Sequence, residues 1–389
     1  MRIPRLLSLV TFSATFLLVG LAIHAKGQQA LTMDGLMRSS AMGYEEAYLP
    51  TVAHSNHAAN LVQLKNGDLL CFWFGGVAEG QSGVAILESR LARGSKQWST
   101  AQVVDREPGV SYQNPVPFET PSGELWLLHT SQPVKEGQAK AQVLVVKSSD
   151  SGRTWGAPAV LFNEPGAFVR DPLLVRKDGA WLLPMYYTPT SAITTGAESH
   201  YSVVKVSKDA GKTWQECRIP GSNGYVQPSV VKQGDHYVAF FRSRFADSIF
   251  RSTSVDGCAW TAPLATSLPN NNASIQAVAL KDGRIAMVFN RAHAEPVTGK
   301  PGTGPRVPLV VAISDDEGKS WLEQRVLEAG RRAGEDPVSY AAHVKADSEY
   351  DEYSYPSVLQ AKDGRLWAAF TYRRKTIKVV SFYERWVGK

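Results

Sequence analysis

The sequence predicts an all-β fold, with six blades of four-stranded antiparallel sheet closed into a propeller. Two periodicities carry the prediction. A Ser-x-Asp-x-Gly-x-x-Trp turn recurs along the chain, and a glycine hairpin turn recurs in step with it.

The first periodicity is an Asp-box. Full copies run from Ser148 through Asp150 and Gly152 to Trp155, from Ser207 through Asp209 and Gly211 to Trp214, and from Ser314 through Asp316 and Gly318 to Trp321. A copy one residue short spans Ser254, Asp256, Gly257 and Trp260, while Ser89 and Trp98 keep only the ends of the pattern. Ser and Asp can bond backbone amides in a tight turn, Gly supplies positive φ, and Trp folds back to pack on the blade.

The second periodicity sets the strands. Turn pairs fall at Asn66-Gly67, Ser122-Gly123, Asp178-Gly179, Gln233-Gly234, Asp282-Gly283 and Asp363-Gly364, each between two apolar runs of strand length. These are hairpin signals. The glycines are 56, 56, 55, 49 and 81 residues apart, which leaves room for two more strands per unit, and a box or its remnant follows each of the first five hairpins. The long last interval implies an insertion, rich in Lys, Glu and Ala around residues 322–345. The sixth blade lacks a box, and its missing strand is expected from residues 45–52, which closes the ring between the two chain ends. A seven-bladed ring is the structural alternative.

Residues 1–30 are excluded from the fold. Arg2 and Arg5 precede an apolar run over residues 6–25 with small residues at Gly20, Ala22 and Ala25, the pattern of a cleaved export signal; an uncleaved anchor is the competing reading. Residues 31–389 then form a single domain that is periplasmic or secreted, with no stable membrane association. The 389 residues are 43% hydrophobic, enough for a large core, and the net charge of +6 is scattered rather than clustered. That distribution argues against nucleic acid as a partner and for weak attraction to acidic ligands. Cys71, Cys217 and Cys258 fit no metal-ligand spacing and read as buried structural residues with at most one disulfide. No metal or other cofactor is implied, and oligomeric state is left open.

Aligning the hairpins places Ala58, Asn114, Asp171, Gln227, Gln276 and Tyr355 at equivalent positions. If these begin the innermost strand of each blade, they converge on one end of the central channel. His57, Asn114, Arg170, Asp171, Gln227, Gln276, Tyr353 and Tyr355 then ring a common pocket, the alternative being that they satisfy open backbone groups at strand starts. Arginines join from neighbouring strand ends: Arg242, Arg291, Arg306 and Arg373. Several guanidinium groups over one pocket form a bidentate clamp for a carboxylate, so the expected ligand is an acidic sugar. Two loops poor in apolar residues, 188–200 and 293–305, are expected to rim it.

With these motifs the sequence resembles the sialidase superfamily, specifically the bacterial sialidase-like proteins of the BNR type, from about His54 to Val380. The boxes, the segment from Asn60 to Leu70 followed by Trp73-Phe74-Gly75-Gly76, and Glu352-Tyr353-Ser354-Tyr355-Pro356 carry the likeness. The resemblance implies a six-bladed propeller in which three arginines grip a carboxylate, a Tyr–Glu pair supplies the nucleophile and an Asp acts as acid/base. Arg242 matches the second arginine, Arg306 resembles the third, and Tyr353 looks like the nucleophile. Three places depart from the pattern. His57-Ala58-Ala59 stands where an Arg-Ile-Pro is normal, Gln227 replaces the glutamate, and Glu79 is the available carboxylate where the acid/base Asp would fall.

The leading expectation is an exported, sialidase-like glycoside hydrolase. Arg242 and Arg306, with Arg170, Gln227, Asn114, Tyr355 and Arg373 around them, would hold an acidic glycan while Tyr353 attacks and Glu79, His57 or Asp171 handles the proton. Two alternatives remain: a uronate lyase using His57 and Tyr353, which needs no carboxylate pair, and a non-catalytic glycan-binding propeller.

Overall fold

The computed structural model describes residues 31–189, 196–294, 302–330 and 351–388, so the export signal lies outside the described residues and the two rim loops do so in part. Blade 1 consists of Ser55–Gln63, Leu69–Gly76, Ala85–Leu91 and Gln102–Asp105, and blade 2 of Val110–Glu119, Leu125–Pro133, Gln142–Ser148 and Ala159–Phe162. Blade 3 has an inner strand in two pieces, Ala167–Val169 and Leu174–Val175, followed by Trp181–Tyr187, Tyr201–Ser207 and Gln215–Arg218. Blade 4 is Tyr225–Gln233, His236–Ser243, Ser248–Ser254 and Leu264–Pro269, and blade 5 is Gln276–Ala279, Ile285–Asn290, Leu309–Ser314 and Glu323–Glu328. Blade 6 takes three strands from the C-terminal part, Tyr353–Gln360, Leu366–Tyr372 and Thr376–Phe382, and its fourth from the N-terminal part. The described residues thus make six blades, not seven.

Closure occurs where the spacing places it, with tighter bounds. Tyr44–Tyr48 pairs with Thr376–Phe382 in register Tyr44 to Phe382, and Arg38–Ala41 adds a further edge strand. A buried lysine pins this seam: Lys378 Nζ lies 2.8 Å from Glu46 on the N-terminal strand and 2.8 Å from Glu328 on blade 5. The outer strand of blade 5, Glu323–Glu328, falls inside the stretch assigned to the insertion; of that stretch, residues beyond 330 lie outside the described ones.

Alternation along the strands explains the core. Leu70, Phe72 and Phe74 face blade 2, while Cys71 and Trp73 face blade 6, because successive side chains leave opposite faces of a sheet. Every blade is therefore apolar on both faces, and the buried residues fall into one large cluster at each of the six seams. The cluster joining Trp73 and Leu87 of blade 1 to Ala369 and Val379 of blade 6 closes the ring. Trp73 is fully buried, so Trp73→Ala would cost about 3–5 kcal/mol.

The boxes rivet these seams. Ser148 Oγ donates to Asp150 Oδ1 (2.7 Å), Gly152 N donates to Ser148 Oγ (2.8 Å), and Thr154 N donates to Asp150 Oδ1 (2.9 Å). The boxes at Ser207 and Ser314 repeat the same bonds. Each box Trp reaches across to the preceding blade: Trp155 meets Phe72 at 5.8 Å, Trp214 meets Phe162 at 5.6 Å and Trp321 meets Phe240 at 5.7 Å between ring centroids. Gly211 is doubly required, with φ +84° and a Cβ position only 2.7 Å from Trp126 of blade 2.

Cys217 and Cys258 form a disulfide that ties the outer strand of blade 3 to the short box of blade 4, while Cys71 is a buried free thiol. Burial of Cys217 thus comes with a covalent link between blades. Among the described residues no helix is long and apolar enough to cross a membrane, and no group of three or more His, Cys, Asp or Glu is placed to hold a metal.

Candidate functional site

Four inner strands carry a bulge at the same place. Pairing with the next strand shifts between His57 and Asn60, between Gln113 and Val116, between Val226 and Ser229, and between Ser354 and Ser357. The residue at each shift is left-handed: Ala58 (φ 60°), Asn114 (51°), Gln227 (53°) and Tyr355 (51°). A bulge re-aims its side chain and ends the simple two-residue alternation. In blade 3 the strand breaks instead, leaving Arg170 and Asp171 between its two pieces.

Just beyond the bulges, polar side chains from different blades bond across the channel. Asn60 Nδ2 donates to the carbonyls of Pro115 and Arg170 (both 3.1 Å), and Ser357 Oγ donates to Asn60 Oδ1 (3.1 Å). Gln276 Oε1 accepts from Val358 N (2.6 Å), and Ser229 Oγ accepts from Ala277 N (2.9 Å). This network closes the floor of the pocket. Arg170 belongs to it, with Nη2 donating to the carbonyls of Ala59, Tyr355 and Pro356 and Nε donating to Ser274, while Asp171 lies beside it with both carboxyl oxygens buried and without a hydrogen bond among the described residues. The Asp171 carboxyl, beside Ser229 and Gln276, is fully buried, and that burial raises its pKa to about 7.

Above the floor stands Tyr355. Arg242 Nη1 donates to its hydroxyl at 2.5 Å and to Gln227 Oε1 at 3.1 Å, while Arg242 Nε donates to Asn272 Oδ1 at 2.8 Å. Gln227 Nε2 in turn donates to the Tyr186 hydroxyl (3.3 Å). The guanidinium carbons of Arg170, Arg242 and Arg306 lie 5.7, 5.5 and 5.3 Å from the Tyr355 ring centre. Burial by itself raises a phenol's pKa, but the charges of Arg242 and Arg306 outweigh it and bring Tyr355 below its ordinary value.

His57 flanks Tyr355 with ring centres 4.2 Å apart. Its Nδ1 shares a hydrogen bond with the Thr371 hydroxyl (2.7 Å) and lies 3.6 Å from Glu352 Oε1. His57 Nε2 is buried and makes no hydrogen bond among the described residues. Burial, then the nearby Arg374 charge, holds the imidazole well below its usual pKa despite Glu352, so it is neutral. Glu352 is pinned by Arg306 Nη1 and by Arg374 Nε (2.9 Å); burial opposes ionisation, but the two arginines keep its carboxyl well below the usual range. Arg374 Nη1 also holds Glu79 at 2.8 Å.

The nominated residues therefore separate. His57, Gln227, Arg242, Arg306 and Tyr355 converge, with Glu79 reaching them through Arg374. Asn114 occupies the equivalent bulge of blade 2, where its side-chain type suits positive φ. Arg170 and Asp171 lie in the floor, both about 1% exposed, with Arg170 bonded to backbone carbonyls and the Asp171 carboxyl sealed from the pocket. Tyr353 is corrected: its hydroxyl donates to Asp351 (3.1 Å), its ring packs on Tyr372, and burial, then Tyr372 and Asp351, pushes its pKa up. The bulge sends Tyr355, two residues on, to the pocket instead. Arg373 is corrected too, since its Nε lies 3.9 Å from Asp351 and Arg374 is the neighbour that meets Glu352. Glu352, Arg374, Arg244, Asn272 and Tyr186 carried no assigned role from the sequence. Glu352 lay in a quoted motif, and Arg244 repeats Arg242 at the two-residue spacing of a strand.

The fold is that of known sialidases. A Hadza microbial sialidase superposes with a TM-score of 0.65 at 16% identity, covering 86% of this chain and 67% of its own. A protein of unknown function from Dyadobacter fermentans gives 0.66 at 15% identity, covering 88% and 100%. A leech intramolecular trans-sialidase gives 0.66 at 12% identity, covering 86% and 69%. No curated protein sequence matches the chain. The family model of the BNR repeat-like domain matches residues 67–367, well over half of the chain, and the protein belongs to that sialidase-like family.

Proposed function

We propose that the protein is an exported glycoside hydrolase acting on a glycan whose reacting sugar carries a carboxylate. The observation that carries this is Tyr355, buried with its hydroxyl on Arg242 and with Arg306 over its ring. The likeness to sialidase folds supports it. The Arg242 and Arg306 donors that the protein leaves free would hold the carboxylate. The Tyr355 oxygen attacks the anomeric carbon as its proton passes to His57 Nε2, and the bond to the leaving group breaks as Glu79, having exchanged its pairing with Arg374 for a proton when the substrate binds, protonates that oxygen. Water then attacks the anomeric carbon, giving its proton to Glu79, and the released Tyr355 regains its own from His57. The lowered pKa of Tyr355 favours the first step.

Gln227 favours one second reading. It cannot take a proton, which leaves neutral His57 beside Tyr355 as the acid/base pair for elimination from a uronate. Product analysis on acidic oligosaccharides separates the two. A free reducing acidic sugar supports hydrolysis, an unsaturated uronide absorbing in the far ultraviolet supports elimination, and binding without turnover overturns both. Export rests on the N-terminal segment and fits the Cys217–Cys258 disulfide, which persists in oxidising compartments. Fractionation with N-terminal sequencing checks it: an exported chain starting near residue 30 is expected, a retained Met1 on an exported chain would replace cleavage by an anchor, and recovery in the cytoplasm would overturn export.

A further inference from the structure

The pocket holds more positive charge than the described chain neutralises. Arg306 and Arg374 share Glu352, Arg374 also pairs with Glu79, and Arg170 lies against Asp171 in the floor. Arg242 has no carboxylate, but its donors are largely committed to Asn272, Gln227 and Tyr355. Arg244 differs from all four. It follows the strand His236–Ser243, two residues beyond Arg242, within electrostatic reach of Arg242, Tyr186 and Tyr355. Among the described residues its side chain makes no hydrogen bond or ion pair, although its Nε is buried. Its backbone is fixed, with Arg244 N donating to the Gly224 carbonyl and its own carbonyl accepting from Gly302 N.

A half-buried guanidinium whose Nε is shielded without a partner is costly, and a like charge two residues away adds to that cost. Burial first, then the Arg242 charge, lowers the Arg244 pKa to about 10, which leaves it cationic at neutral pH. The two phenols in its electrostatic reach are already engaged, Tyr186 by Gln227 and Tyr355 by Arg242. Among the described residues no carboxylate balances Arg244, which leaves that place to an anion of the ligand.

We propose that Arg244 recognises a second acidic group on the substrate, a sulfate ester or second carboxylate, beside the carboxylate held by Arg242 and Arg306. This rests on the reading of the pocket as an acidic-sugar site and specifies it: the substrate class is a doubly acidic sugar.

Isothermal titration of the full mature chain tests it with two probe pairs, glucuronic acid against its 2-sulfate and N-acetylneuraminic acid against its 8-sulfate. In at least one pair the sulfate ester should bind about 10-fold tighter or more, the gain of a charge-assisted contact. Arg244→Gln should bring the ratio of the two dissociation constants to about one, and Arg244→Lys, which keeps the charge, should leave part of the preference. Equal binding of both members by the wild type, a preference that survives in Arg244→Gln, or no binding of any probe overturns the proposal. If the preference and its loss are seen but no glycoside is cleaved, the second-anion site stands and hydrolysis falls. If a singly acidic glycoside is hydrolysed with no preference for the sulfate ester, hydrolysis stands and this proposal falls.

Discussion

The box turns and the pocket both depend on polar side chains of the same six blades, and they differ in where each polar group finds its partner. In a box, the Asp150 carboxylate is satisfied by Ser148, Arg153 and Thr154, all within four residues. In the pocket, Arg242 bonds Tyr355 across 113 residues and His57 meets Thr371 across 314. The boxes close on themselves and leave nothing to react. The pocket is assembled from non-equivalent blades, and it leaves His57 Nε2 and Arg244 Nε buried without protein partners among the described residues. In this propeller, the features that recur from blade to blade secure the fold, and the features that single blades break secure the site.

The sharpest way to break that contrast is to exchange the two tyrosines of blade 6. Tyr355→Phe should lower kcat on an acidic glycoside by at least about 10³-fold with an unchanged melting temperature, whereas Tyr353→Phe should leave kcat within about 3-fold. Steady-state kinetics decide it, and equal losses would return the nucleophile role to Tyr353. Next in size, Arg242→Lys should reduce kcat/KM by about 10²-fold, because a point charge cannot hold Tyr355, Gln227 and a carboxylate together.

The floor provides a test through stability. Asp171 has its pKa raised from 3.8 to about 7 by burial, so the folded chain binds a proton that the unfolded chain releases. Stability from this group is present below the unfolded value and is lost as pH rises towards 7, by about 4 kcal/mol in total. Asp171→Asn should remove that decline, as urea denaturation from acid to neutral pH would show. The smallest effect belongs to the boxes: Asp316→Ala should lower the melting temperature by about 1–3 °C and leave kcat/KM unchanged. A loss of activity there would mean that the box face and the pocket are coupled.

The architecture was legible because its signals are local. Box residues bond within five positions, hairpin glycines need positive φ whatever surrounds them, and seam clusters follow from two-residue alternation. Hairpin alignment placed Asn114, Gln227 and Tyr355 at equivalent positions, and each proves to be the left-handed residue of a bulge. Taken literally, that signal singled out Tyr355 over Tyr353. The likeness of Tyr353-Ser354 to a known motif pointed the other way, because alternation puts both tyrosines on one face unless a bulge intervenes.

What the sequence determined by itself is therefore the ring: six blades, their order, their turns and the strand that closes them. Only the tertiary structure decided which charges meet. Arg170 and Asp171 stand in line with pocket residues along the chain but are absorbed by the floor, while Arg373 and Arg374 turn to different carboxylates, Asp351 and Glu352. Such choices depend on side-chain direction at bulges and on the desolvation of groups brought together from distant blades. Neither is encoded in the spacing of residues along one strand.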